Sequence, residues 1–228
     1  MLILAIETAT PVASIALLEG ERVVASRYFD VGNQHSQRVF VEADHLFSVT
    51  GNSWSAAEAV ATTTGPGSFT GLRIGLSAAK GICLALGIPL VGVSTLQALA
   101  WRLPYARFPV CAMLDARRGQ VYSALYSTKT GFPDALAEPR AVAPEDLASE
   151  LSGTEVLFVG SGAKVYKEKF RRLAGANFAP SHLNNPDAAT VGCLGLIKLT
   201  NGEVIDLTTS EPEYIRLPAL GPARPKQN

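Results

Sequence analysis

The sequence predicts an α/β protein built of two loosely repeated halves. Three observations carry that expectation. Short apolar runs and helical patterns follow one another in the order βββαβαβα, and a glycine-rich turn, Gly65 to Gly71, leads from a strand into a long helix. Strands and helices then recur in a similar sequence beyond residue 104.

Leu2 to Glu7 is a short apolar run of the kind that forms a buried strand. Val12 to Leu18 follows after Thr10-Pro11, and Glu21 to Phe29 after the Glu19-Gly20-Glu21 turn. Strands joined by turns this short form an antiparallel meander. A helical pattern from about Ser36 to Val49 carries two apolar stripes. Val39, Ala43 and Leu46 line one, widened by Phe40 and Phe47, while Val41, His45 and Val49 form the other. Either the helix is well buried, or one stripe packs on the sheet and the other meets a partner chain.

Ala59 to Thr64 reads as a strand that enters the Gly65-Pro66-Gly67-Ser68-Phe69-Thr70-Gly71 turn. The helix after it runs from about Gly71 to Leu86 and is closed by Gly87 and Pro89. Gly71, Gly75 and Ala79 recur on it at four-residue spacing. Each glycine costs about 1 kcal/mol of helix propensity, which implies a tight contact, either with the chain's own sheet or with another helix. Pro89 to Val93 is a strand and Thr95 to Arg102 a helix.

The second half opens after Pro104 to Pro109, with strands Val110 to Leu114 and Gln120 to Tyr126 around the Arg117-Arg118-Gly119 turn. A helix over Pro144 to Leu151 and a strand over Glu155 to Val159 follow. Gly160-Ser161-Gly162 then leads into an amphipathic helix to about Leu173, and Asp187 to Leu199 is a last helix. Subdomains at 1–103 and 104–217 are expected, with a disordered tail over 218–228 that is rich in proline. A meander followed by βα crossovers is how each half of the actin/hexokinase/Hsp70 fold begins.

Composition narrows the function classes. Hydrophobic residues make up 47% of the 228 and charged residues 18%, a globular rather than a disordered balance. Twenty basic residues offset twenty acidic ones; a protein that holds RNA alone usually carries a basic excess, so any tRNA contact is expected to be shared with partners. Cys83, Cys111 and Cys193 lie among apolar neighbours without CxxC spacing and read as buried, reduced thiols. The N-terminal MLILAIET lacks the basic start and long apolar core of a signal peptide. Arg73, Lys80 and Pro89 interrupt the apolar stretch 71–93, which is read as a core helix and not a membrane span.

Two turns could hold an anion. Glu7-Thr8-Ala9-Thr10 ends the first strand where actin-like ATPases approach nucleotide phosphates, and its small hydroxylated residues could offer donors. An ordinary hydrogen-bonded turn is the competing reading. The GPGSFTG turn stands at a helix N-terminus, where free amides attract negative charge. It is not a Walker A loop, which needs Lys and then Ser or Thr after its last glycine; Leu72-Arg73 stand there instead. His35, His45 and His182 have no second ligand at metal spacing, and there is no GxSxG. The Lys164-Lys167-Lys169-Arg171-Arg172 run, interleaved with Tyr166 and Phe170, is a solvated helix face.

These residues together resemble a known family. Leu4 to Thr10 with Val12 to Leu17, Gly65 to Gly75 (GPGSFTGLRIG), Asp115 to Tyr122 (DARRGQVY) and Pro212 to Arg216 (PEYIR) are similar to motifs of the TsaB (YeaZ) family, and the anchors span nearly the whole chain. The resemblance implies an actin-like fold with a small or incomplete nucleotide site. It also implies a cytoplasmic role in forming N6-threonylcarbamoyladenosine (t6A) at position 37 of tRNAs that read codons starting with A. In that pathway the related TsaD transfers the threonylcarbamoyl group, TsaB binds TsaD, and the ATPase TsaE joins them. No cofactor is firmly implied, and ATP or ADP could meet this chain at Glu7 to Thr10, only at the joint interface, or not at all. TsaD carries an HxxxH metal motif, and the matching positions here are Thr95 and Leu99; neither side chain replaces an imidazole ligand.

The leading expectation is therefore a non-catalytic subunit whose helices Ser36 to Val49 and Gly71 to Leu86 meet TsaD. Val39, Ala43, Leu46, Gly71, Gly75 and Ala79 are the expected contact residues, and Glu7, Thr8 and Thr10 the nucleotide contacts. A homodimer through the same face is a further reading. The competing class is an enzyme in its own right, a phosphotransferase using Glu7 and Asp115 as magnesium carboxylates or a peptidase whose metal ligands the chain lacks.

Overall fold

The structure is a computed structural model that describes residues 1–30 and 35–215, with only the backbone of 35–37. Arg216, the last residue of the PEYIR motif, and the tail 218–228 lie outside the described residues. The first sheet is built from β1 (Leu2–Glu7), β2 (Val12–Glu19), β3 (Arg22–Asp30), β4 (Ala59–Gly65) and β5 (Leu90–Ser94) in the order β3-β2-β1-β4-β5. β1 to β3 form the antiparallel meander, and β1, β4 and β5 run parallel.

Alternation along these strands explains why they are apolar on both sides. Leu4, Ile6, Ile15, Leu17 and Val60 face one cluster, where α1 (His35–Val49) and α2 (Phe69–Leu86) pack. Ile3, Ala5, Ala16, Leu18 and Ala61 face the other. There the cover comes from α3 (Thr95–Trp101) and the last helix of the chain.

The second sheet contains β6 (Val110–Asp115), β7 (Val121–Ser127), β8 (Asp134–Val142), β9 (Val156–Val159) and β10 (Ala176–Phe178). Its order, β10-β9-β6-β7-β8, repeats that of the first sheet when read from β8. Two of these strands are absent from the sequence expectation. β8 is an exposed edge strand with Pro139 and bulges against β7, so it lacks a buried alternating face. β10 has three residues and, among the described residues, pairs with β9 alone.

The helix expected up to Leu173 is broken into α5 (Ser161–Val165) and α6 (Lys167–Phe170), after α4 (Pro144–Glu150). The break at Tyr166 lets Phe170 turn inward onto Phe158, with ring centroids 4.8 Å apart. On the outer side Lys169 pairs with Glu145 and Arg171 with Glu168.

The end of the chain does not stay with the second sheet. α7 (Ala188–Thr200) lies across β1, β2 and β4, with Asp187 capping it and Ser14 accepting from the Ala188 amide at 2.8 Å. The segment beyond it bonds the first sheet again, Ile205 N–H to Leu90 O at 2.9 Å and Glu213 N–H to Thr64 O at 2.8 Å. A 104–217 segment continuous in sequence is thus divided in space. α7 supplies, together with α3, the apolar cover of one face of the first sheet.

α2 is long and apolar enough to cross a membrane by length and composition. Its inner residues Leu72, Leu76, Ala79 and Cys83 are buried in this chain's own core. Cys83 and Cys111 are buried free thiols, pushed up to about 11 and about 12 by burial.

Candidate functional site

The β1–β2 turn and the glycine turn, read separately in the sequence, meet in the structure and close on each other. The Ser68 amide donates to Ala9 O at 2.7 Å, and Thr8 Oγ1 donates to Gly71 O at 2.8 Å. A Cβ on Gly71 would lie 2.0 Å from Thr8 O, and one on Gly75 2.3 Å from Thr8 Oγ1. These glycines exist because the first turn of α2 rides directly on the end of β1. Ser68 caps the helix, its Oγ accepting from the Gly71 amide at 3.2 Å.

The same contacts decide how well a nucleotide phosphate fits. Thr8 and Thr10 are buried, and the Thr10 hydroxyl donates to Val12 O at 2.8 Å as the Thr8 hydroxyl does to Gly71. Glu7 is fully buried, its Oε1 accepting from the Ala9 amide at 2.7 Å and its Oε2 without a partner among the described residues. Both hydroxyls and the Ser68 and Gly71 amides are committed within the chain, so Thr8 and Thr10 keep no hydroxyl donor for a phosphate. Asp115, the other carboxylate considered for magnesium, accepts from the Arg117 amide at 3.0 Å and pairs with its guanidinium at 3.4 Å. No group of three His, Cys, Asp or Glu suited to a metal occurs among the described residues.

Burial pushes the Glu7 carboxyl well above its ordinary 4.5; the Ala9 N–H opposes this and the nearby Asp187 adds to it. Its contribution to stability is fully present below the unfolded value and is lost as pH rises through the folded one. Glu7→Gln keeps the acceptor for Ala9 without a charge. It should match the wild type at acid pH, where both side chains are neutral, and melt above it at alkaline pH in thermal scans. A difference that does not vary with pH would reject a buried neutral carboxyl.

The far side of the glycine turn is held by the C-terminal segment, a connection without local sequence signal. Thr64 Oγ1 donates to Glu213 Oε1 at 3.2 Å, and Arg73 Nε donates to the Tyr214 hydroxyl at 2.9 Å. The Tyr214 and Phe69 rings stand 5.1 Å apart, and the Arg73 guanidinium lies 3.9 Å over Phe69. Two of the family-like motifs, 65–75 and 212–216, thus form one joint as far as the described residues reach.

The six expected contact residues all point inward. Val39, Ala43, Leu46 and Ala79 are core residues at 0–2% exposure, and Gly71 and Gly75 are buried against Thr8. The correction is one of register, since the opposite faces of the same helices are open. Phe40, Val41 and Val49 on α1 are 48%, 66% and 60% exposed, and Leu84 on α2 is 65% exposed. Ser77, Gly81 and Ala85 repeat the small-residue spacing on the outer side of α2, all exposed. A Cβ on Gly81 would meet nothing within 4 Å, so nothing inside the chain requires a glycine there. Between the helices runs a groove of about 540 Å³ lined by Phe40, Phe69, Arg73, Ile74, Ser77 and Ala78.

Thr95 and Leu99, where the resemblance places the metal histidines of TsaD, are both fully buried on α3. Leu99 packs against Gly160, a Cβ on which would lie 2.7 Å from Leu99 Cδ2.

Two sheets of the same strand order, closed by a helix that returns to the first, define an actin-like two-subdomain protein. In agreement, a Thermus thermophilus ROK hexokinase superposes with a TM-score of 0.50 at 9% identity, covering 89% of this chain and 100% of that one. The profile of the family described as TsaD, tRNA N6-adenosine threonylcarbamoyltransferase, matches residues 30–220. Within that class the chain belongs to the TsaB family, also called YeaZ. It is 33% identical to the tRNA threonylcarbamoyladenosine biosynthesis protein TsaB of Escherichia coli and 30% identical to that of Bacillus subtilis, over 95% of both chains in each case. YeaZ from Pseudomonas aeruginosa superposes with a TM-score of 0.82 at 30% identity, covering 93% of this chain and 99% of that one.

Proposed function

We propose that this chain acts in t6A formation as a non-catalytic subunit that docks on TsaD, with TsaE joining the assembly. The observation that carries this reading is the open outer face of α1 and α2. Phe40, Val41 and Leu84 are exposed there, beside an exposed helix ridge of Ser77, Gly81 and Ala85 in which the glycine has no internal use. Exposed apolar residues beside a ridge of small ones suit helix-on-helix packing between chains. A non-catalytic role is supported by the committed hydroxyls of Thr8 and Thr10 and by Thr95 and Leu99 standing where TsaD has its histidines. The assembly is placed in the cytoplasm, where ATP or ADP and the tRNA are met within the complex. The same face serves a homodimer when TsaD is absent.

Reconstitution of tRNA modification with TsaD and TsaE, with and without this chain, tests the proposal. Modification is expected to require the chain. Equal modification in its absence, or ATP turnover by the chain alone, would overturn it.

A further inference from the structure

Three non-glycine residues among those described have a left-handed backbone: Tyr105, Arg117 and Arg118, with φ of 57°, 61° and 52°. Tyr105 has an internal reason, since its amide donates to Thr128 O at 2.8 Å and its ring packs over Gly131. Arg117 has a partial one, its amide donating to Asp115 Oδ1 at 3.0 Å, whereas Arg118 has none among the described residues. They form the tip of the β6–β7 hairpin, where the Gln120 amide donates to Arg117 O at 3.1 Å and Gly119 follows at φ 72°. Positive φ at successive turn residues favours Asn, Asp and Gly, so arginine is a strained choice for a turn alone. Arg117 is 80% exposed in its side chain and meets only Asp115, while Arg118 is exposed with no side-chain partner among the described residues. Lys164, also exposed and unpaired among the described residues, stands one turn into α5 after Ser161, whose Oγ accepts from the Asp115 amide at 3.1 Å. Two exposed arginines thus stand at the tip, and Lys164 lies on the helix whose Ser161 bonds the end of β6.

We propose that this hairpin tip, Arg117-Arg118 with Lys164 beside it, is a contact for the phosphodiester backbone of the tRNA. Guanidinium groups bind phosphate oxygens with paired donors, and such contacts set register and orientation rather than sequence choice. The tip belongs to the second sheet, whereas α1 and α2 cover the first. A formal net charge of zero suits a local contact that adds to the binding of a larger assembly. The inference rests on the t6A reading, which supplies the nucleic acid.

The test is the double variant Arg117→Asn with Arg118→Gly, which suits the turn better while it removes both charges. The chain, wild type or variant, is first run with TsaD on a sizing column, and the complex is then titrated with tRNA transcript over a salt series. The variant is expected to co-elute with TsaD, to melt no lower than wild type and to bind tRNA about tenfold more weakly. The slope of log affinity against log salt should fall by about 1.5, near the value for two lost phosphate contacts. Unchanged affinity and slope would reduce the arginines to turn residues and overturn the proposal. Loss of TsaD co-elution by the variant would make the tip a protein contact and overturn it as well. A wild-type chain that does not co-elute refutes the partner reading instead, and the same titration on the chain alone then decides the hairpin. Restoring charge with Lys at both positions should recover most of the salt slope.

Discussion

Gly71→Val is expected to melt about 8–16 °C below the wild type, or to yield no folded chain at all. A Cβ at this position would sit 2.0 Å from the carbonyl oxygen of Thr8, and that oxygen belongs to the backbone at the end of β1. A flexible side chain could swing away; a carbonyl at the end of the central strand cannot move without disturbing its neighbours. β1 pairs with both β2 and β4, so a shift there spreads through the meander and the crossover together. Overpacking in a rigid core costs about 1–3 kcal/mol and more where backbone must move. A cost of about 4 kcal/mol in a domain of this size gives the stated range. Differential scanning calorimetry or circular dichroism measures it. Gly75→Val should follow with a smaller loss, because its closest neighbour is the Thr8 hydroxyl at 2.3 Å, a side-chain atom. A folded Gly71→Val chain with wild-type melting would show that the two turns do not close on one another as described.

Gly81→Leu should give the opposite pattern, a chain at least as stable as wild type that no longer associates with TsaD. Gly81 is on the exposed side of α2, and a Cβ there meets nothing. Replacing a mid-helix glycine gains about 0.8 kcal/mol of propensity, which raises the melting temperature by about 2–3 °C. At a helix–helix interface the same side chain fills the gap through which a partner backbone approaches. A central contact of that kind is worth about 2 kcal/mol or more, so association should weaken by at least about thirtyfold. Val41→Glu, 66% exposed on α1, is the companion from the other helix and should also leave stability unchanged. Titration calorimetry reads the loss of binding, and the melting curve shows that the fold is retained. Undiminished association by both variants would place the TsaD contact elsewhere on the molecule.

The contrast between Gly71 and Gly81 shows where reading from sequence stops. Both are helical glycines with small residues four positions away, so spacing marks both as sites of close approach. It does not say which approach is internal. That depends on how α2 is rotated about its axis, set by Thr8, Ala9 and the strands beneath. The choice of Val39, Ala43 and Leu46 as contact residues has the same cause: the apolar stripe named for the partner is the one the sheet takes, at 0–2% exposure. The contact of Tyr214 with Arg73 and Phe69 is not legible in the sequence because it joins positions far apart in the chain.

What the sequence by itself determined is the architecture of the first half and the family. Apolar runs in β1, β2 and β4, the Ser68 cap and Gly87 stop of α2, and the glycine-rich turn are local signals, each set by burial on both faces or by backbone conformation. Only the tertiary structure decided which helix faces are spent internally, that Thr8 and Thr10 are closed to a phosphate, and that α7 returns to the first sheet. It also revealed β8 and β10, the edge strands that complete the repeat of the first sheet. Those outcomes depend on contacts between residues distant in the chain, whose geometry no local periodicity encodes.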